Sequence, residues 1–378
     1  MVDLAVAVEL NQVNEKNWNT ALIEAGTKGT IFQSTYWAEY LRTTYGDHPI
    51  YIASLDNKGN IKGLLLAIES CYAKHPALTL LGNRGLLFGK LYKHAISPVL
   101  HKVLPFIFWE HGPIILTQDN HPMEKSRNDA LFREMVEKIV EKAEEKNCYE
   151  IKLARSAFLD DHSEIFSLLS FWKRRMGTIL INLEQPLDTI WSRIDRSARK
   201  NIEKLKGDIE IVKVSSRDEL NEFYRMHVQT SKRAQVKTFP YSYFTSLWDH
   251  FSRYGMIAVF VAKSRDEPLA GSLSLIFNNT THVFTLADSN YARSKRLYAG
   301  DVLMWHIMKW GHEKGLKHQD LGGVELHKID AGQKRAQGIY RFKSKWGGQL
   351  IEYTDYGKVF PRKRRLINLL NKHLSDSK

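Results

Sequence analysis

His48–Ser70 reads HPIYIASLDNKGNIKGLLLAIES, and Gly255–Phe277 reads GMIAVFVAKSRDEPLAGSLSLIF. Each is an apolar run, a short polar stretch with turn-forming residues and a second apolar run, the pattern of strand, turn, strand. Overlaid at an offset of 208 residues, they match Ala53-Ser54 with Val261-Ala262, Ile61 with Leu269, Gly63 with Gly271 and Leu65 with Leu273. The flanking elements follow a shared order. Before the first hairpin come a strand over Ala5–Leu10, a helix capped by Asn14 and running through Ala25, and an aromatic-rich helix capped by Ser34. Before the second come a strand over Ile209–Val214 and helices over Arg217–Ala234 and Tyr241–Arg253. The first hairpin is followed by a helix, a strand in His111–Leu116 and a charged helix near Ser126–Lys146. In that last helix Leu131, Met135 and Ile139 share one face. The second hairpin is followed by a strand in Thr281–Asp288 and a helix over Ala299–Glu313 ended by Gly315. A strand in Lys317–Gly323, a short helix near Gly338–Lys345 and a strand in Gln349–Asp355 complete it. Gly177–Leu183 forms a strand and Leu187–Lys206 one helix.

This repetition predicts an α/β chain of mixed sheets in two similar domains, 1–172 and 173–347. Residues 348–378 add a strand and a basic helix packing back on the first domain. A cleft between two such halves is a common ligand site.

The 378 residues are 43% hydrophobic and 11% aromatic, which excludes a disordered chain. Two cysteines, Cys71 and Cys148, without close spacing exclude a disulfide scaffold and read as free thiols of a reducing compartment. No stretch has the length and apolarity of a membrane span, and the first twenty residues lack a secretory pattern, so a cytoplasmic protein is expected. Charge is lopsided. Residues 1–160 hold 18 basic and 19 acidic side chains, whereas 161–378 hold 37 and 23, placing all of the net +13 in the second half. That asymmetry fits a phosphate-bearing partner.

The chain has no phosphate-binding loop of the Gly-x-x-x-x-Gly-Lys type, no Gly-x-Gly-x-x-Gly, no Gly-x-Ser-x-Gly, no Cys-x-x-Cys and no His-Glu-x-x-His. His306, His312 and His318 recur every six residues and do not share a helix face. Cofactor and metal chemistry are therefore not expected. Three stretches remain. Gln319-Asp-Leu-Gly-Gly323 places an acid before glycines that let backbone approach a ligand. In Gly338-Ile-Tyr-Arg-Phe-Lys-Ser-Lys-Trp-Gly-Gly348, Phe342 and Trp346 bury one face, while Arg341, Lys343 and Lys345 project elsewhere. In Trp191–Lys206, six basic residues include Arg196, Arg199 and Lys200 within about one turn, a face suited to phosphate.

Together these residues resemble the Fem family, the FemA/FemX-like peptidoglycan bridge-forming aminoacyltransferases. The resemblance rests on Trp191 with the Arg-rich helix, Pro268–Ser272, Trp305, Trp310 and Gly315. It is strongest from Asp320-Leu-Gly-Gly323 through Gly338–Lys343 to Trp346-Gly-Gly348. Phe32-Gln-Ser-Thr-Tyr-Trp37 and Gly112-Pro113 extend it to the first half. The resemblance implies two copies of an acetyltransferase-like (GNAT) domain; the coiled-coil arm that some members carry is not expected, since the charged helices between Leu187 and Arg253 are short and separated by Gly207 and Pro240. It implies attack by a cell-wall peptide amine on the ester of an aminoacyl-tRNA, with a nucleotide- or lipid-linked peptide or glycan as acceptor. It also implies functional roles for Phe342 and Lys343, with Lys343 stabilising negative charge and Asp320 receiving or orienting the amine. Tyr340, Gly322 and Gly323 join Phe342, Arg196 and Arg199 as substrate-binding residues.

Two other readings accompany it. One is an acyl-CoA-dependent N-acyltransferase of the same fold, although Lys295–Gly300 offers one glycine where a pyrophosphate grip belongs. The other is a basic RNA- or membrane-binding module. The tail Pro361–Lys378, with four basic residues at Arg362–Arg365 before a Leu-rich face, reads as a terminal helix or a contact with anionic lipid.

Overall fold

The computed structural model describes residues 6–71, 105–116 and 122–361. The helix expected between the first hairpin and His111 can fall only on 72–104, outside the described residues, because Pro105–Glu110 is a strand; the tail from Arg362 onward also lies outside them. Two compact units form, Met1–Arg174 with Thr354–Lys378, and Arg175–Tyr353.

The first unit contains β1 (Val6–Glu9), α1 (Glu15–Glu24), α2 (Thr35–Tyr45), β2 (His48–Leu55), β3 (Ile61–Cys71), β4 (Pro105–Glu110), β5 (Ile114–Ile115), α3 (Pro122–Glu145), β6 (Glu150–Ala154) and α4 (Ser163–Leu168). Asn14 and Ser34 cap α1 and α2 through side-chain oxygens that accept from Asn17 N and Trp37 N. Leu131, Met135 and Ile139 of α3 are buried with Ile52, Leu65, Ile107 and Ile151 of the sheet.

The second unit begins in β7 (Trp172–Asn182) and continues with α5 (Leu187–Arg193), α6 (Arg196–Leu205), β8 (Glu210–Lys213), α7 (Leu220–Arg233), α8 (Tyr241–Phe251), β9 (Ile257–Ser264), β10 (Glu267–Phe277) and β11 (Thr280–Asp288). Then follow α9 (Asn290–Ser294), α10 (Ala299–Glu313), β12 (His318–Val324), α11 (Leu326–Asp330), α12 (Lys334–Ser344) and β13 (Gln349–Val359), whose second half joins the first unit.

Both sheets obey one rule. The first runs β1-β2-β3-β4-β6-β13 and the second β8-β9-β10-β11-β12-β7. Within each, neighbours are antiparallel except the fourth and fifth strands, β4 with β6 and β11 with β12. The hairpins even share a bulge: Leu55 faces Ile61 and Ser54 faces Gly63, while Lys263 faces Pro268 and Ala262 faces Ala270. The second turn is one residue shorter. The 208-residue offset therefore holds on the first strand and drops by one on the second, so Gly63 corresponds to Ala270 and not to Gly271. With that shift the row Pro49, Ile68, Phe108, Lys152 corresponds to Ile257, Leu275, His282, Asp320.

The expected single helix over Leu187–Lys206 is two. Ile194 turns extended, with ψ 137°, and the Asp195 carboxylate caps α6 by accepting from Ser197 N at 2.7 Å. The Asp195 N–H, freed from any helix, donates to Lys345 O at 2.8 Å. Helix α12 starts four residues earlier than expected, and α11 occupies part of a loop without a sequence signature.

The Phe32–Trp37 stretch has a structural task in the first unit. The fully buried Gln33 side chain donates to Leu66 O at 3.0 Å and Glu110 O at 2.6 Å and accepts from Leu66 N at 2.7 Å. Its amide substitutes for a rung between β3 and β4. Gln33→Ala orphans these buried backbone groups, at roughly 1–3 kcal/mol for each group left unsatisfied. Chemical denaturation should show a loss of about 2–4 kcal/mol.

Candidate functional site

The two units differ where their parallel strands meet. In the first, pairing continues past Phe108–Lys152 to Trp109–Leu153 and Glu110–Ala154. In the second, it ends at the corresponding rung, His282–Asp320, although both strands go on. Two irregularities flank this end. Phe284 bulges out of β11 opposite the Leu273–Ser274 step, and β12 shifts register against β7 between Asp320 and Gly323. Backbone that no longer pairs within the sheet is available to an extended ligand.

Asp320 anchors the distortion. One carboxylate oxygen accepts from the Thr178 hydroxyl and from Gly322 N at 2.8 Å, and the other lies 3.3 Å from His282 Nδ1. Burial alone pushes this carboxyl up. The hydrogen bond and charge of His282, then the Thr178 hydroxyl and the Gly322 N–H, outweigh it and bring the pKa down to about 2. Such an acid stays ionised and is a weak base. Its capacity is to hold the bulge and present negative charge.

Gly322 takes φ +77°, the left-handed conformation that favours glycine. The turn aims two carbonyls at Lys343, whose Nζ donates to Gly322 O at 2.9 Å and Gly323 O at 2.8 Å. Burial lowers the Lys343 pKa to about 8 against the opposing pull of Asp320. An ammonium has three donors, and one remains for a substrate oxygen.

Helix α12 is fastened at its end. A Cβ at Gly347 would lie 2.5 Å from Arg193 O, and one at Gly348 2.8 Å from Leu180 O, so only glycines permit this approach. Lys345, which the sequence presents as a projecting charge, instead pairs with Asp301 at 2.5 Å and lies 4.8 Å above the rings of Phe342 and Trp346. Asp301 is in the first turn of α10, nearly buried, and also accepts from Asn201 Nδ2 at 2.9 Å.

The structure thus brings together Lys343, Asp320, Gly322 and Gly323. Phe342 is half-buried against Trp346, and Tyr340 packs on the core containing Ile179 and Trp346. Arg196 is exposed and Arg199 half-buried on α6, without contact to the Asp320–Lys343 cluster among the described residues. Their helix reaches it indirectly, through the Asp195–Lys345 backbone bond, through Asn201 on Asp301, and through Ala198 and Ile202 in the core shared with Leu321 and Trp346. His282 and Thr178 were missed from sequence. A polar pair inside two apolar strands was the available signal, but their shared partner lies 38 and 142 residues away. Beside Leu180, the rung partner of Asp320, a cavity of about 470 Å³ is bordered by Arg193, His318, Trp346 and Gly347. No group of three or more His, Cys, Asp or Glu able to hold a metal occurs among the described residues. No helix there is long and apolar enough to cross a membrane.

This sheet, with an interrupted parallel pair beside a helix, is the GNAT architecture. Residues 192–344 match the family model described as "Acetyltransferase (GNAT) domain". No curated protein matches the chain significantly by sequence.

Solved structures show the same fold along most of the chain. FemX aligns with a TM-score of 0.67 at 15% identity, covering 95% of this chain and 99% of FemX. A tandem GNAT protein from the clavulanic acid biosynthesis pathway gives 0.54 at 7% identity, covering 94% and 98%. The C-terminal domain of a putative lysylphosphatidylglycerol synthetase from Agrobacterium fabrum gives 0.51 at 14% identity, covering 94% and 96%. The chain therefore has a tandem GNAT fold, as the family resemblance implies.

The Lys343 environment has a measurable signature. Its folded pKa, about 8, lies below the ordinary 10.5, so the unfolded chain binds more protons between those values. The cost of burying the ammonium is present below pH 8 and is relieved as pH rises toward 10.5. Wild type should gain stability over Lys343→Met across that window in denaturation at several pH values. A constant difference between the two proteins contradicts the burial.

Proposed function

We propose that the second unit is an aminoacyltransferase, moving an aminoacyl group from aminoacyl-tRNA to an amine of a nucleotide- or lipid-linked, peptidoglycan precursor-like peptide or glycan in the cytoplasm. The observation that carries this reading is Lys343, held on two bulge carbonyls where the β11–β12 pairing ends. The FemX-like fold and the sequence resemblance supply the donor and acceptor classes.

The amine nitrogen attacks the ester carbonyl, a C–N bond forms, and the C–O bond to the ribose breaks. The remaining Lys343 N–H faces the developing oxyanion or the departing ribose oxygen. With a pKa near 8 the ammonium also gives up a proton readily, and the amine's lost proton restores it. Asp320 fixes the bulge and balances the lysine charge. Asp301 argues against CoA as donor: an acid occupies the first turn of α10, where the fold would otherwise offer bare N–H groups to a pyrophosphate.

Lys343→Met should lower turnover by about 10²–10³ with charged tRNA as donor, the usual cost of losing one such stabilising donor. The control is Arg341→Met, an exposed position on the same helix, because Lys345 is committed to Asp301. Equal turnover in both variants would falsify the assignment of Lys343.

Arg196→Ala with Arg199→Ala should weaken tRNA binding and reduce the slope of log affinity against log salt by about two, one per lost phosphate contact. An unchanged slope removes α6 from the RNA contact.

A further inference from the structure

One recess in the second unit has no part in the acyl-transfer chemistry. It lies at the edge strand β8 and encloses about 510 Å³, within the roughly 300–1,000 Å³ of small-ligand sites. Its floor is Val214, Ile257, Ile276 and Leu316, and its walls include Trp248 of α8 and Trp310 of α10.

The two indoles are placed differently. The Trp310 ring meets Phe260 edge-on at 5.2 Å and has Lys213 Nζ 5.5 Å from its centre, so its position is fixed from within. Trp248 is half-buried and has no ring or cation partner among the described residues. Lys213 and Lys314 stand exposed at the rim, and neither has an ion pair among the described residues. The nearby acid Glu219 is committed to Ser215, accepting from its N–H at 2.7 Å. A flat apolar surface beside two cations that lack an acidic partner is complementary to a planar heterocycle carrying a phosphate.

We propose that this recess binds a nucleoside phosphate, with the base on Trp248 and the phosphate between Lys213 and Lys314. The unit carrying it, Arg175–Tyr353, has 28 basic and 19 acidic residues and so holds most of the chain's net +13. Ile257, on its floor, shares a cross-sheet row with Leu275, His282 and Asp320. Three strand spacings of about 4.8 Å put it roughly 14 Å from Asp320, a span that a few nucleotides of single strand cover. The same chemistry is offered by an RNA strand or by a free nucleotide.

The test is direct binding to the full chain, with no acyl transfer involved, so its outcome is separate from that of the proposed reaction. Adenosine and uridine 5′-monophosphate are titrated by calorimetry and a labelled single-stranded oligoadenylate by fluorescence anisotropy. Trp248→Ala should weaken binding at least about fivefold, the lower end for base–aromatic stacking, and Trp248→Tyr should restore most of it. Lys213→Gln with Lys314→Gln should reduce the oligonucleotide salt slope by about 1.4. Mononucleotide binding that Trp248→Ala weakens assigns a free nucleotide, and binding confined to the oligonucleotide assigns an RNA strand. Melting temperatures accompany each variant, and the tyrosine and lysine variants carry the test if Trp248→Ala does not fold. Wild type that binds neither probe, or variants that all bind like wild type, overturn the proposal.

Discussion

One carboxylate joins three strands of the second sheet. Asp320 on β12 receives a hydroxyl from β7, an imidazole from β11 and the backbone N–H of its own bulge. Without it the left-handed Gly322 has no partner to hold its N–H, and the two carbonyls that grip Lys343 lose their direction. A buried charge is costly unless fully hydrogen-bonded, and here the bonds do more than compensate, as the carboxyl's pKa near 2 records. The corresponding rung of the first unit has Phe108 and Lys152, needs no such anchor, and stays paired to its end.

This contrast explains how two copies of one strand order come to differ in chemistry. Both sheets run four antiparallel strands into one parallel pair. In the first unit the potential gap between β3 and β4 is filled by Gln33, and the parallel pair is complete. In the second, the parallel pair stops short, a phenylalanine bulges from one strand and two glycines follow the acid on the other. The acyl-transfer reading places its reacting atoms there because, among the described residues, the parallel pair ends early beside a lysine in the second unit.

Much of this architecture was legible in the sequence. The hairpins, the caps at Asn14 and Ser34, and the span of α10 follow from local rules of turn chemistry, capping and periodicity. The two tandem α/β halves follow from their repetition. Local rules also explain the failures. Leu187–Lys206 has an uninterrupted helical composition, and only the tertiary bond from Asp195 N to Lys345 O shows why the chain breaks there. The overlay placed Gly63 against Gly271 because one residue is missing from the second turn, which a gapless comparison does not register. In the site, Asp320 and the glycine pair stood out as a stretch unusual for packing alone, and Lys343 through the family resemblance. Thr178 and His282 did not, since what brings them to Asp320 is strand pairing.

Lys345 shows what the arrangement means mechanically. Its ammonium grips the start of α10 through Asp301, and its carbonyl receives the N–H of the residue that caps α6. One residue is therefore the pin on which three helices turn, and it sits two positions from Lys343. The end of α12 is thus bonded to both α6 and α10, and the glycines behind it sit directly against Arg193 and Leu180. The Lys343 ammonium therefore inherits its position from an ion pair two residues further along the chain.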